Sequence, residues 1–200
     1  MPMTLPNVLS SLRLILSPLF FVAYFAPLWF GLPIEAAIGV LWFLGIVIEV
    51  SDALDGHLAR KLDQVSDTGK LLDPYSDVIS RCTYFLCFSF SGIMPIWIFL
   101  ILFYRELSIA FVRLVMLKRG VVMAARGSGK LKASSYTLAG VAGMAAYTVR
   151  GLASPSSLNI TVRWIAYGIF VLAAVLSVVS FADYLIVLRR SRPDSEGKES

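Results

Sequence analysis

Between residues 52 and 77 the chain reads DALDGHLARKLDQVSDTGKLLDPYSD, and four of its acids are spaced for helices. Asp52 and Asp55 lie three apart and Asp73 and Asp77 four apart, so within a helix each pair shares one face. A short basic connection between the pairs predicts two helices side by side, with all four carboxylates converging at one end. Four carboxylates cannot stay ionised together in a poorly hydrated site, because repulsion and desolvation both penalise the charged form. The arrangement therefore calls for a cation among them. Hard oxygen ligands favour Mg²⁺, Mn²⁺ or Ca²⁺ over zinc, and Mg²⁺ commonly joins one or two carboxylates to substrate phosphates. The expected substrate carries a phosphate or diphosphate. Gly56 and Ala59 follow the first pair and Gly69 precedes the second, and small residues there let backbone approach a flat base or a sugar.

The elements that must position these acids belong in lipid. The chain has 200 residues, 58% of them hydrophobic and 16% charged, with a mean hydropathy of +0.76; soluble domains carry about 25% charged residues. Apolar stretches at 12–30, 34–50, 71–90, 95–117, 138–149 and 165–188 are separated by Gly-, Pro- or Ser-bearing connections. The expected fold is an all-α integral membrane bundle of six transmembrane helices. An N-terminal interfacial helix is expected over 5–16, with Val8, Leu9, Leu12 and Leu16 along its apolar face and Asn7, Ser10 and Arg13 elsewhere, before a bend at Pro18. No cleavable leader is expected, because the first apolar run lacks a basic start and a small-residue cleavage site.

The net charge of +5 is read as topology, not as a nucleic-acid footprint. Arg60, Lys61, Lys70, Lys118, Arg119, Arg126, Lys130, Lys132, Arg189, Arg190, Arg192 and Lys198 fall on connections of one side, and only Arg150 and Arg163 on the other. Both termini and the acids are then cytoplasmic. Residues 1–188 form the membrane domain and 189–200 a polar tail. Cys82 and Cys87 are expected as free thiols, and Trp29, Trp42, Trp97 and Trp164 as interface anchors and packing.

Taken together the fixed positions spell DxxDGxxAR, eight residues, then GxxxDxxxD, met by Asp52, Asp55, Gly56, Ala59, Arg60, Gly69, Asp73 and Asp77. This pattern resembles the CDP-alcohol phosphotransferase family, whose six-helix membrane domain suits the hydropathy of the whole chain. The resemblance implies that Asp52, Asp55 and Asp73, helped by Asp77, hold two Mg²⁺ (or Mn²⁺) ions against the diphosphate of CDP-diacylglycerol. It implies Asp77 as the general base toward an acceptor hydroxyl, room for cytidine at Gly56, Ala59 and Gly69, a nucleotide contact from Arg60, and a homodimer in the cell membrane.

The acceptor is addressed by other charges. Arg105, Glu106 and Arg113 lie in the fourth apolar stretch, where an unpaired charge costs about 2.5 kcal/mol or more; Arg105 is expected either to pair with Glu106 or, with Arg113 and the following loop residues Arg126, Lys130 and Lys132, to receive a phosphate. RELSIAFVR, GKLKA and the opening LPNVLSSLRLILSP are similar to segments of the phosphatidylglycerophosphate synthase branch of the family, which implies sn-glycerol 3-phosphate as acceptor. Two positions depart from that branch: Val78 stands where Lys is usual and Ala133 where Thr is usual, and Arg81, one turn past Asp77, is the nearest replacement for the missing cation. Inositol phosphate, serine or phosphatidylglycerol are alternative acceptors. Glu49 is expected as an outer contact of the site or as the partner of an arginine, and His57 as a polar interface residue. An intramembrane prenyltransferase would lack the DG and AR elements, and an ion or proton transporter would place its acids near the bilayer midplane.

Overall fold

The computed structural model describes residues 5–61, 67–118, 127–153 and 155–190, with side chains described outside 5–6, 55–61, 67–71, 113–118, 127–130 and 187–190. It contains six helices among these residues: α1 (Leu5–Phe30), α2 (Ile34–Lys61), α3 (Asp67–Phe90), α4 (Ile96–Lys118), α5 (Gly127–Gly151) and α6 (Ser156–Arg190). Three segments, Asn7–Phe30, Ile34–Leu54 and Ser156–Ile186, are long and apolar enough to cross a membrane. The chain is thus all-helical and of multi-pass membrane character.

Three connections at one end of the bundle are made by the expected turn residues. Gly31 and Gly92 adopt φ of 64° and 73°, the left-handed conformation that closes a helix without Cβ strain. Pro33, Pro95 and Pro155 stand immediately before α2, α4 and α6, where a missing N–H costs nothing. A polar knot ties the helices near these turns. Tyr24 and Ser91 share a hydroxyl hydrogen bond of 2.7 Å, the Tyr147 hydroxyl donates to the Tyr24 carbonyl at 3.2 Å, and Arg150 donates to the Ser91 carbonyl at 2.6 Å.

Packing runs opposite to that of a soluble bundle. On α1 the buried residues Asn7, Ser10, Arg13, Ser17, Phe20 and Tyr24 form a face at three- and four-residue spacing, joined near its end by Phe25 and Ala26, while Val8, Ile15, Leu19 and Val22 point outward. Lipid rewards apolar surface outside, so the polar stripe turns inward to find partners. Two expectations change accordingly. Residues 5–16 are no separate interfacial helix, since α1 runs unbroken through Pro18, and Arg13 lies on its inner face, not toward water. Helix α1 packs along both α2 and α3; among the described residues α2 and α3 meet through side chains, Arg81 with Asp52 and Tyr84 with Glu49.

Elsewhere α5 packs along α6, and α4 lies against α3 and α6. The segment GKLKA is not a loop: α5 begins at Gly127, so Lys130 and Lys132 are helical. Phe88 of α3 fills the space beside Gly143 of α5, where an added Cβ would run into its ring. Gly143→Val is therefore expected to cost about 1–3 kcal/mol of overpacking and to lower the thermal unfolding midpoint in detergent. Gly168→Ala, with nothing near its Cβ direction and a better helix former in the interior of α6, should not lower that midpoint.

Candidate functional site

The acids are gathered by two arginines. Arg13, fully buried, donates from Nη1 to Asp52 Oδ1 at 2.6 Å and from Nη2 to Asp73 Oδ1 at 2.5 Å, so one guanidinium from α1 spans a carboxylate of α2 and a carboxylate of α3. Its own helix is keyed in place by Ser17, whose hydroxyl donates to the Arg13 carbonyl and to Ser80 of α3. Arg81 approaches from α3. Its Nε donates to Asp77 Oδ1 at 2.5 Å, its Nη2 lies 3.5 Å from Asp52 Oδ2, and its Nη1 donates to the Ala133 carbonyl of α5 at 3.1 Å.

Burial sorts the cluster into two levels. The Arg13 and Arg81 side chains are 1% and 6% exposed, whereas those of Asp52, Asp73 and Asp77 are 33%, 49% and 28% exposed. The guanidiniums form a dry floor and the carboxylates a rim open to the outside. Charged hydrogen bonds over such a floor are strong, and removing one partner leaves an uncompensated charge.

A second charged group sits beyond the floor. Glu106 Oε1 accepts from Arg105 at 2.9 Å and from Lys132 at 2.6 Å, Arg105 also donates to Ser180 of α6 at 3.0 Å, and all three charged residues are buried. The Tyr136 ring joins the two groups: the Lys132 ammonium lies 4.1 Å from its centroid and the Arg81 guanidinium 5.8 Å. Glu49, one turn before Asp52, takes hydroxyls as its partners, accepting from Tyr84 at 3.0 Å and Thr137 at 2.8 Å. It makes no ion pair with an arginine among the described residues, and it lines an apolar cavity of about 230 Å³ with Phe20, Trp42, Tyr84 and Met144.

The family model for CDP-alcohol phosphatidyltransferase matches residues 3–179. The chain belongs to this family. A Treponema pallidum relative, "CDP-diacylglycerol--glycerol-3-phosphate 3-phosphatidyltransferase", is 37% identical over 142 residues, 67% of this chain and 65% of that protein. A Bacillus subtilis protein of the same name is 31% identical over 136 residues, 64% of this chain and 69% of that protein. A Streptomyces coelicolor "Cardiolipin synthase (CMP-forming)" is 38% identical over 105 residues, 52% of this chain and 47% of that protein. The matched stretch thus spans from about half to about two thirds of the length of these relatives.

The motif positions of this CDP-alcohol phosphatidyltransferase are described in part. Asp52, Asp73 and Asp77 meet at one rim; Asp55, Gly56, Ala59 and Arg60 continue α2, and Gly69 lies in the first turns of α3, with side chains outside the described residues. His57 is helical in α2, and its side chain is likewise outside the described residues. Among the described residues no three acidic, histidine or cysteine side chains already form a metal cage. The donor set still fits a hard cation: it consists of oxygens only, it is partly open to the outside, and no described cation pairs with the second oxygen of Asp73 or Asp77.

Of the residues expected to meet an acceptor, Arg105 and Lys132 come together on Glu106. Arg113 and Lys130 are helical with undescribed side chains, and Arg126 lies outside the described residues. Arg13 was not among the expected site residues. Its signals are its place in the opening segment LPNVLSSLRLILSP and the inward face that begins at Asn7 and Ser10 and passes through Ser17. Arg13→Met should destabilise the chelator-treated protein by about 1–3 kcal/mol, the range for lost charged hydrogen bonds, with Arg13→Lys between the two. Equal unfolding midpoints for Arg13→Met and the parent would show that the clamp carries no load.

Proposed function

We propose that this chain transfers the phosphatidyl group of CDP-diacylglycerol to sn-glycerol 3-phosphate, giving phosphatidylglycerophosphate and CMP. The observation that carries the proposal is the meeting of Asp52, Asp73 and Asp77 at one partly open rim, at the acidic positions of a family motif that the chain matches in full. The printed names of the Treponema and Bacillus relatives support the acceptor.

In this proposal Asp52, Asp55, Asp73 and Asp77 hold two Mg²⁺ or Mn²⁺ ions, whose contribution is to offset the charge of the donor diphosphate and of the departing CMP. Gly56, Ala59 and Gly69 leave room for the cytidine and Arg60 holds the nucleotide. Asp77 takes the proton of the acceptor hydroxyl, whose oxygen bonds to the β-phosphorus as the bond from that phosphorus to the CMP oxygen breaks. Arg81 engages Oδ1 of Asp77, which orients the other oxygen toward the acceptor. Positioning and charge neutralisation supply most of the rate, with no covalent intermediate.

Arg105 and Lys132 share Glu106, so that group keeps one net positive charge inside the bundle. With Arg113, Arg126 and Lys130 on the same two helices or the connection between them, it suits an acceptor that bears a phosphate. All six helices span the cell membrane in this proposal, with both termini and the carboxylate rim cytoplasmic, an orientation that the distribution of basic residues supports. Residues 1–188 are the catalytic membrane domain and 189–200 a polar tail, and two copies form a homodimer. A second acceptor, phosphatidylglycerol, is favoured by the similarity to the Streptomyces cardiolipin synthase.

Purified enzyme with CDP-diacylglycerol and Mg²⁺ is expected to release CMP when given glycerol 3-phosphate, and to stop on chelation. Stimulation by phosphatidylglycerol or inositol phosphate instead would reassign the acceptor, and CMP release indifferent to chelator would remove the metal from the proposal. Asp77→Asn should keep donor binding and lose turnover, whereas Asp52→Asn should weaken metal and donor binding together. Equal loss of donor affinity in both variants would contradict the division of roles.

A further inference from the structure

Lys132 and Tyr136 are four apart on α5, so they share a helix face, with the ring one turn beyond the lysine. The Lys132 ammonium lies 2.6 Å from Glu106 Oε1 and 4.1 Å from the centroid of the Tyr136 ring. The Arg81 guanidinium stands 5.8 Å from the same centroid. Both distances fall within the ~6 Å reach of a cation–π attraction, which strengthens where water is excluded, and Lys132, Tyr136 and Arg81 are all buried. Two cations beside one ring repel each other. The negative face of the ring offsets that repulsion without taking a hydrogen bond from either.

The ring is itself held firmly. Its hydroxyl shares a hydrogen bond of 2.9 Å with Ser177 of α6, Phe85 of α3 meets it edge-on at 5.5 Å and 77°, and close packing of this kind resists rotation of a buried ring. Its two cations depend on it unequally. Arg81 keeps Asp77, Asp52 and the Ala133 carbonyl as other partners, whereas Glu106 is the one acid that pairs with Lys132 among the described residues. Without the ring, Glu106 is what remains to hold the ammonium. We propose that Tyr136 is a positioning residue, whose ring keeps the Lys132 ammonium from collapsing onto Glu106 and so leaves it available to the phosphate of the acceptor. The proposal rests on the transferase function given above, with glycerol 3-phosphate as acceptor. Tyr136 touches no reacting atom and acts through Lys132.

The test alters position 136 in the purified full-length chain in detergent. It follows CMP release from CDP-diacylglycerol against glycerol 3-phosphate concentration, with CDP binding in Mg²⁺ measured alongside. Tyr136→Phe keeps the ring and loses only the hydroxyl, so its KM for glycerol 3-phosphate should stay within about twofold of the parent. Tyr136→Leu removes the ring and should raise that KM ~5-fold or more, the ratio that about 1 kcal/mol of cation–π attraction represents, with the Kd for CDP unchanged. Phenylalanines carrying one, two and three fluorines, placed at the same position, nearly keep the shape while draining the negative face of the ring. KM should climb with each fluorine, and the Kd for CDP should not.

The fluorine series decides the matter even where Tyr136→Leu fails to fold, because it leaves packing almost untouched. A KM indifferent to fluorination, in an enzyme that responds to glycerol 3-phosphate, would overturn the positioning role and leave the transferase intact. A KM that rises as far in Tyr136→Phe as in Tyr136→Leu would move the effect to the hydroxyl and overturn it as well. So would CDP affinity that falls in step with KM along the series, the mark of a general loss of structure. A parent chain that releases no CMP in response to glycerol 3-phosphate would remove that acceptor, and the role of Tyr136 with it.

Discussion

Ionised carboxylates at the edge of a lipid-embedded bundle need compensating charge close by, and the structure meets that demand with arginines from inside the protein. The buried guanidinium of Arg13 bonds an acid of α2 and an acid of α3, and much of the architecture follows. It fixes which face of α1 turns inward, and so places Ser17, Phe20 and Tyr24 in the core. It adds a bridge from α1 to the direct contacts between the two acid-bearing helices. The cost of burying so strong a base is offset because each nitrogen that meets a carboxylate does so at charged hydrogen-bond distance.

Arg81 extends the same solution sideways. It holds Asp77 and at the same time reaches the backbone of α5, one residue from Lys132, whose ammonium is shared with Glu106. The two charged groups are therefore neighbours with a common aromatic wall, Tyr136, whose hydroxyl is anchored to Ser177 at 2.9 Å. A donor at the carboxylate rim and an acceptor drawn to the Lys132 side would approach each other across Arg81.

The acidic motif was legible because its spacing is a local property: Asp52 and Asp55, and Asp73 and Asp77, share helix faces whatever surrounds them. The six helices were legible from hydropathy, although α5 and α6 begin earlier than their apolar stretches, since Ser, Gly and Lys at Gly127–Lys132 and Ser156–Arg163 do not break a helix that packing supports. The burial of Arg13 was not legible, because the polar side of a helix in isolation reads as its wet side. Only the outward exposure of Ile15 and Leu19 reveals that the solvent on that side is apolar. Glu49 was noticed as an oddity, but its partners Tyr84 and Thr137 lie on α3 and α5, and no local pattern in the sequence connects them.

The knot formed by Tyr24, Ser91, Tyr147 and Arg150 lies at the far end of the bundle from the acids. A helix of the length of α3 is about 36 Å long at ~1.5 Å per residue, so a tilt of about 3° about one end moves the other by about 2 Å. That displacement is comparable to the hydrogen-bond lengths in the Arg13 clamp. Long levers magnify slack at their pivots, so the tolerances of the acidic end are set at the opposite end of the bundle, by three hydroxyls, two carbonyls and a guanidinium.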